Sequence, residues 1–350
     1  MLQTIIECSR ATGFIALLIV LCAINHSSLA CAAELSALVE GARKEGRLVI
    51  YSLLAVPDHS RIVNHFRERY PFIEVSLTRP GASERITARV MTEARAGRPL
   101  VDVIGISRLN MMALIQRSLI MNYESPERAR FDPAFKDRSG FWTTFYVNPE
   151  VTAYNTRLIA SANVPKAYGD LLEPRWNGQL AFEQTAIEWF ATLLRHWGED
   201  KGLAFMRRLA GQNLKILNGN TLITQLVAAG EHAGAVSLNG PRVELTKRRG
   251  APIDWVALDP TVVDVVTIGI AANAPHPNAA KLYLNHVLSR DVQETLLEEQ
   301  FVKPSGRTDV KSAFMAKIRS AKVQMISVDE SLSERWEHYE KLFQSTFKTQ

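Results

Sequence analysis

Apolar residues along this chain alternate between two rhythms. Arg47-Leu48-Val49-Ile50-Tyr51-Ser52-Leu53-Leu54, Phe72-Ile73-Glu74-Val75-Ser76-Leu77 and Val101-Asp102-Val103-Ile104-Gly105-Ile106 are short, nearly continuous apolar runs. That is the pattern of strands buried on both faces of a parallel sheet. Between them apolar residues recur at helical spacing: Ile62, Phe66 and Tyr70 behind a candidate cap at Asp58, Ile86, Val90 and Ala94 behind the loop Arg79–Ser83, and Met111, Leu114 and Ile115 behind Ser107. Pro71 stops the first of these helices, and Gly97 with Pro99 stops the second. Strand and helix in alternation predict an open, doubly wound α/β sheet.

The alternation resumes with the strand Gln179–Phe182, a helix opened by Thr185 through Trp189, Leu193 and Leu194, and a helix over 202–209. The strand Leu214–Leu217, a helix started by Asn218-Gly219-Asn220-Thr221 and the strand Ala233–Leu238 complete a second α/β series. Between the two series lies Phe141–Leu158, two aromatic and β-branched runs split by Asn148-Pro149, which reads as a crossing made of two short strands. Asp264–Ala271 reads as the return strand, and two crossings make a hinge. The expected organisation is a first lobe over 34–147 plus 265–307, a second over 148–264, and C-terminal helices over 308–350 packing on both. Helices are also expected over Asn278–His286 and Ser289–Glu299, and a last one sets Leu332, Trp336, Tyr339 and Phe343 on one face as core packing.

Length and composition agree with two lobes: 350 residues at 47% hydrophobic content suffice for about two domains of roughly 100–200 residues each. Phe14–Ile24 is apolar throughout but, at about half of the roughly 20 residues a bilayer needs, it reads as the core of a secretory signal over 1–33 rather than a span. Lipid anchoring at Cys31 is the alternative, set back because Ser28 stands where a lipoprotein signal carries Leu. Cys8, Cys22 and Cys31 all fall inside this segment, so a mature chain has no thiol for catalysis, metal binding or disulfides. The expected location is the periplasm. A net charge of +5 is mild, and no basic block suggests nucleic acid. No clustered metal-binding motif, phosphate-cradling glycine loop or nucleophile elbow is present, so neither catalytic residue, metal site nor cofactor is assigned.

Several segments, in order, carry a resemblance: Ala42–Ser52, Tyr154-Asn155-Thr156, Asp170-Leu171-Leu172 with Trp176-Asn177-Gly178, Gly250–Trp255 and Pro277–Tyr283. Together they resemble the iron(III)-binding branch of the type II periplasmic solute-binding proteins, the receptors of ABC importers. The resemblance implies a two-lobed monomer, joined by a two-strand hinge, that captures a small solute and hands it to an inner-membrane permease. The chain departs from that branch in its second lobe, where Pro241-Arg242 follows Asn239 in place of the adjacent tyrosines that suit hard Fe(III). A guanidinium is a forked donor for carboxylate or phosphate. The expected ligand is therefore an organic or phosphorylated anion.

Candidate ligand groups lie in loops between strand ends and helix starts, where backbone N–H groups and the helix dipole favour anions. In the first lobe these are Arg79, Ser83 and Ser107, with Tyr146 on the crossing; in the second they are Thr185, Asn218, Asn220, Asn239 and Arg242. Thr185, Asn218, Asn220 and Asn239 also resemble positions where iron binders hold a synergistic anion. Each has a plainer reading as a cap, a turn residue or core packing. Iron held through Tyr51, His59, Tyr146 or a chelator is the rival ligand, and a secreted enzyme or a sensor feeding a membrane kinase is the rival class.

Overall fold

The computed structural model describes residues 33–294, 301–328 and 330–347. The expected signal segment, apart from Ala33, and all three cysteines lie outside the described residues, as do residues 295–300 of the helix expected over Ser289–Glu299. Helix α1 covers 33–45, and β1 (Arg47–Ser52), α2 (Val56–Arg69), β2 (Glu74–Thr78), α3 (Ser83–Arg95), β3 (Val103–Ser107) and α4 (Arg108–Ile115) follow. After the two-residue β4 (Ile120–Met121) comes the long crossing strand β5 (Thr143–Asn155). The second series is β6 (Leu180–Glu183), α5 (Ile187–Trp197), α6 (Glu199–Ala210), β7 (Lys215–Leu217), α7 (Asn220–Ala229), β8 (Gly234–Asn239), α8 (Gly240–Arg248) and β9 (Ile253–Val256). The chain returns through β10 (Thr261–Ala271) to α9 (Pro277–Leu288), and ends with α10 (Ala313–Ser320), β11 (Met325–Ser327) and α11 (Trp336–Phe347).

The strands form one sheet in the order β2-β1-β3-β10-β5-β8-β6-β7. β1 pairs β2 and β3 in parallel, and β6 pairs β7 and β8 in parallel, as strands linked by helical crossovers do. β10 and β5 run antiparallel between these two parallel halves. The doubly wound two-lobed class read from the sequence is therefore the fold observed.

Three local expectations change. The crossing is one strand rather than two, because Pro149 stands at the last pair of the β10 ladder, opposite Val263, just before β5 takes β8 as its partner at Glu150. A residue without an N–H is tolerated where one ladder gives way to another. Helix α2 begins two residues before Asp58, with Ala55 as N-cap and Asp58 in its first turn. Ser83 is the first residue of α3, not its cap, which is Ala82.

The helices bury their apolar faces on both sides of the sheet. Ile62, Phe66 and Tyr283 pack under the first lobe, and Phe190, Leu193 and Met206 under the second. Helix α11 belongs to the second lobe: Phe343 is 1% exposed and its ring lies 5.5 Å from that of Phe190 and 5.9 Å from that of Phe182. Among the described residues no helix is long and apolar enough to cross a membrane. Phe343→Ala removes the ring that seats α11 and is expected to cost about 3–5 kcal/mol, measured as a lowered urea midpoint; an unchanged midpoint would show that α11 contributes nothing to the fold.

Candidate functional site

Loops leaving the carboxyl ends of β1, β3, β6 and β8 all open towards the crossing, as strand topology in open α/β sheets requires of a ligand crevice. They enclose a cavity of about 580 Å³. Its first wall is Leu53, Ala82, Ser83, Glu84 and Ser107; its floor is Glu150, Val262 and Asp264 of the crossing strands; its second wall is Glu183, Thr185–Trp189, Asn220 and Ser237. Val328, Trp336 and Glu340 come from the C-terminal segment. A larger surface hollow of about 720 Å³ lies between the end of α6, β7 and the end of α11, away from the crossing and without a carboxylate.

On the first wall, the Ser83 hydroxyl accepts the Ser107 backbone N–H at 3.0 Å, and Ser107 Oγ accepts Asn110 Nδ2 at 3.2 Å. Asn110 also donates to Glu84 at 3.1 Å. These bonds pin the starts of α3 and α4 to each other and hold Glu84 at the rim.

On the second wall, Glu183 takes the place an external anion was expected to fill. Its carboxylate, on a residue 3% exposed, accepts the Thr185 N–H at 3.4 Å, the Thr185 hydroxyl at 3.2 Å, the Gly219 N–H at 2.9 Å and Asn220 Nδ2 at 3.4 Å. Asn220 Oδ1 in turn accepts the Asn239 N–H at 2.8 Å, and Asn239 Oδ1 caps α8 by accepting the Arg242 N–H at 3.3 Å. Glu183 thus gathers donors from Thr185, Gly219 and Asn220, in the loops that lead into α5 and α7. Glu183 is among the residues sequence reasoning missed; its signal was an acid ending a strand two residues before Thr185, which was expected to open a helix that in fact starts at Ile187.

At the floor, Asn148 and Asp264 are cross-strand partners. Between Val151 and Ala153 of β5, β8 advances three residues from Leu238 to Ala235, a bulge that carries Ser237 at φ 56°. A serine in the left-handed region is strained, and here the distortion aims its hydroxyl at Glu150, 3.2 Å away. Burial pushes the Glu150 carboxyl up to about 8, reinforced by Asp264, and burial pushes Asp264 up to about 6. Glu188, in the first turn of α5, is raised by burial and by the charges of Asp264, Glu84 and Glu150. Beside this group, burial and then the charge of Arg242 bring the Lys303 ammonium down to about 8; it donates to Asn148 at 3.4 Å and sits 4.8 Å above the Tyr146 ring.

Of the nine candidate residues, Ser83, Ser107, Thr185 and Asn220 line the cavity, while Arg79, Tyr146, Asn218, Asn239 and Arg242 do not. Arg79 is exposed and spends its Nε–H on the Leu53 carbonyl at 2.9 Å. Tyr146 is 3% exposed, its ring 5.2 Å from that of Phe145. Among the described residues no Lys, Arg or His lines the cavity, whereas six carboxyl groups do: Glu84, Glu150, Glu183, Glu188, Asp264 and Glu340. Among the same residues no group of three or more His, Cys, Asp or Glu side chains is arranged to hold a metal ion.

Residues 98–333 match the family described as bacterial extracellular solute-binding protein. The Fe(3+)-binding periplasmic protein of Serratia marcescens is 25% identical over 236 residues, 64% of this chain and 68% of that protein. Among solved structures, iron-bound HitA from Pseudomonas aeruginosa superposes with a TM-score of 0.75 at 19% identity, covering 86% of this chain and 99% of that one. AfuA from Actinobacillus pleuropneumoniae, with exogenous fructose-6-phosphate bound, gives a TM-score of 0.71 at 22% identity over 87% of this chain and 98% of that one. At such identities these likenesses speak for the fold. With the family match covering most of the chain, the protein belongs to the bacterial extracellular solute-binding proteins.

Proposed function

We propose that this receptor captures a small organic cation between its lobes and hands it to the permease of an ABC importer. One observation carries the reading: six carboxyl groups and no basic side chain line the cavity between the two halves of the sheet. Glu183 supports it, because it sets a carboxylate among the loop donors that lead into α5 and α7, where an external anion would have to compete with it. The similar proteins include one that binds Fe(3+) and one with fructose-6-phosphate bound, so the choice of solute rests on this chain's own side chains.

The same charges give binding a way to drive closure. We take residues 34–147 with 265–307 to move against 148–264 about β5 and β10. Glu84 on α3 and Glu188 on α5 belong to opposite walls, and the charge of Glu84 adds to the burial that raises the Glu188 carboxyl. Ionised together they oppose approach of the lobes; a cation between them removes that repulsion, so it binds the closed form better than the open one.

Thermal unfolding in the presence of tetramethylammonium, putrescine, Fe(III)-citrate, citrate and phosphate tests the reading. A cognate ligand at about 100 times its dissociation constant adds roughly 2.7 kcal/mol, and that shift is expected from an amine. Stabilisation by citrate or phosphate alone would overturn the proposal, and a response confined to Fe(III) would replace the organic cation with the metal. Binding to the carboxylate form also means that amine affinity rises as pH increases from about 6, for Asp264, to about 8, for Glu150. Glu150→Gln is expected to weaken binding at least about tenfold and flatten the upper part of that rise, whereas Arg242→Ala leaves affinity within about twofold.

Without ligand the sign reverses. Because the folded carboxyl of Glu150 titrates near 8 against an ordinary 4.5, the folded state keeps a proton that the unfolded chain has released. Its contribution to stability is complete below 4.5 and lost as pH rises through about 8. The unliganded protein is therefore expected to lose stability across this window, and Glu150→Gln to lose less, as read from urea midpoints at successive pH values.

A further inference from the structure

The stripe Leu332, Trp336, Tyr339 and Phe343 does not act as a single core face. Leu332, Tyr339 and Phe343 are buried against the second lobe, but Trp336 and Glu340, one helical turn apart on α11, line the interlobe cavity. Helix α11 is fixed where it stands. Its aromatic residues Phe343 and Phe347 pack on Phe182 and Phe190, and Arg335 and His338 reach Glu199 at 2.9 and 3.0 Å. The strand before it, β11, is added to β10, and residues 330–335 lie against α4 of the first lobe. Helix α11 also lies beyond residue 333, where the family match ends.

Resting on the reading of the cavity as a cation site, we propose that Trp336 and Glu340 are its specificity-determining wall, selecting an alkylated ammonium head by placing an indole and a carboxylate side by side. The chemistry follows from what each ligand class needs. A bare metal ion is bound by oxygen donors, and a primary ammonium can satisfy its three N–H groups with them, so both depend less on an indole. A methylated ammonium has no N–H to donate, spreads its charge over its methyl groups, and is held by an aromatic face backed by carboxylate. Trp189, on the second wall of the same cavity, is a second indole available to the same head.

The test compares affinities of the purified protein for tetramethylammonium and putrescine by calorimetry. Trp336→Ala is expected to weaken tetramethylammonium about tenfold while changing putrescine about twofold or less. Glu340→Gln is expected to weaken both, and Glu337→Gln, on the exposed side of the same helix beside Lys341, neither. If Trp336→Ala unseats α11, seen as a lowered urea midpoint, Trp336→Phe and Trp336→Leu decide: affinity kept by Phe and lost by Leu supports an aromatic contact, and equal affinities overturn it. Unchanged binding in both Trp336→Ala and Glu340→Gln, with binding lost in Glu150→Gln, sinks the C-terminal wall and leaves the cation site standing. No binding of either amine to the wild-type protein sinks both.

Discussion

Every N–H and C=O of a buried strand needs a partner along its full length, and β5 meets that demand by changing neighbours midway. Its first seven residues pair with β10 and the rest with β8 and β9, so one thirteen-residue strand belongs to both halves of the sheet. The rest of the molecule follows from this. The seam where the ladders exchange is where the lobes meet, where Pro149 is tolerated, and where a bulge on β8 turns Ser237 inward. Side chains at the seam, Asn148, Glu150 and Asp264, are held by backbone pairing, which makes their mutual approach rigid.

That rigidity accounts for the electrostatics of the cavity. Carboxylates on flexible loops would swing apart into water, and their acidity would stay ordinary. Glu150 and Asp264 are fixed to adjacent strands at the floor of the cavity, where burial favours the protonated form of both and the charge of Asp264 adds to the effect on Glu150. Glu183 accepts its hydrogen bonds from the loops that lead into α5 and α7. The cavity therefore combines one carboxylate hydrogen-bonded from within with others that a bound cation would satisfy.

The C-terminal segment closes the cavity on one side: the chain continues past the return strand, adds β11 to the sheet and lays α11 over the second lobe. A helix with one face in the core has its neighbouring residues, one turn apart, free to reach the cleft.

The amino-acid sequence by itself determined the alternation of strand and helix, the position of both crossings, the extracellular solute-binding family, and the helix-start loops that hold Ser83, Ser107, Thr185 and Asn220. These are local: periodicity, caps and turn residues act over a few positions, and an apolar run states its burial directly. Only the tertiary structure decided the sign of the site. Glu150, Glu183, Glu188 and Asp264 are ordinary isolated acids along the chain and meet only because four separate elements, β5, β6, α5 and β10, come together at one seam. Arg79 and Arg242, prominent in their loops, are not among the cavity's lining, and for Arg79 the reason is tertiary: its side chain is spent on the carbonyl of Leu53 in another loop. Trp336 shares its helical stripe with core residues, and no periodicity distinguishes the turn that faces protein from the turn that faces a cavity.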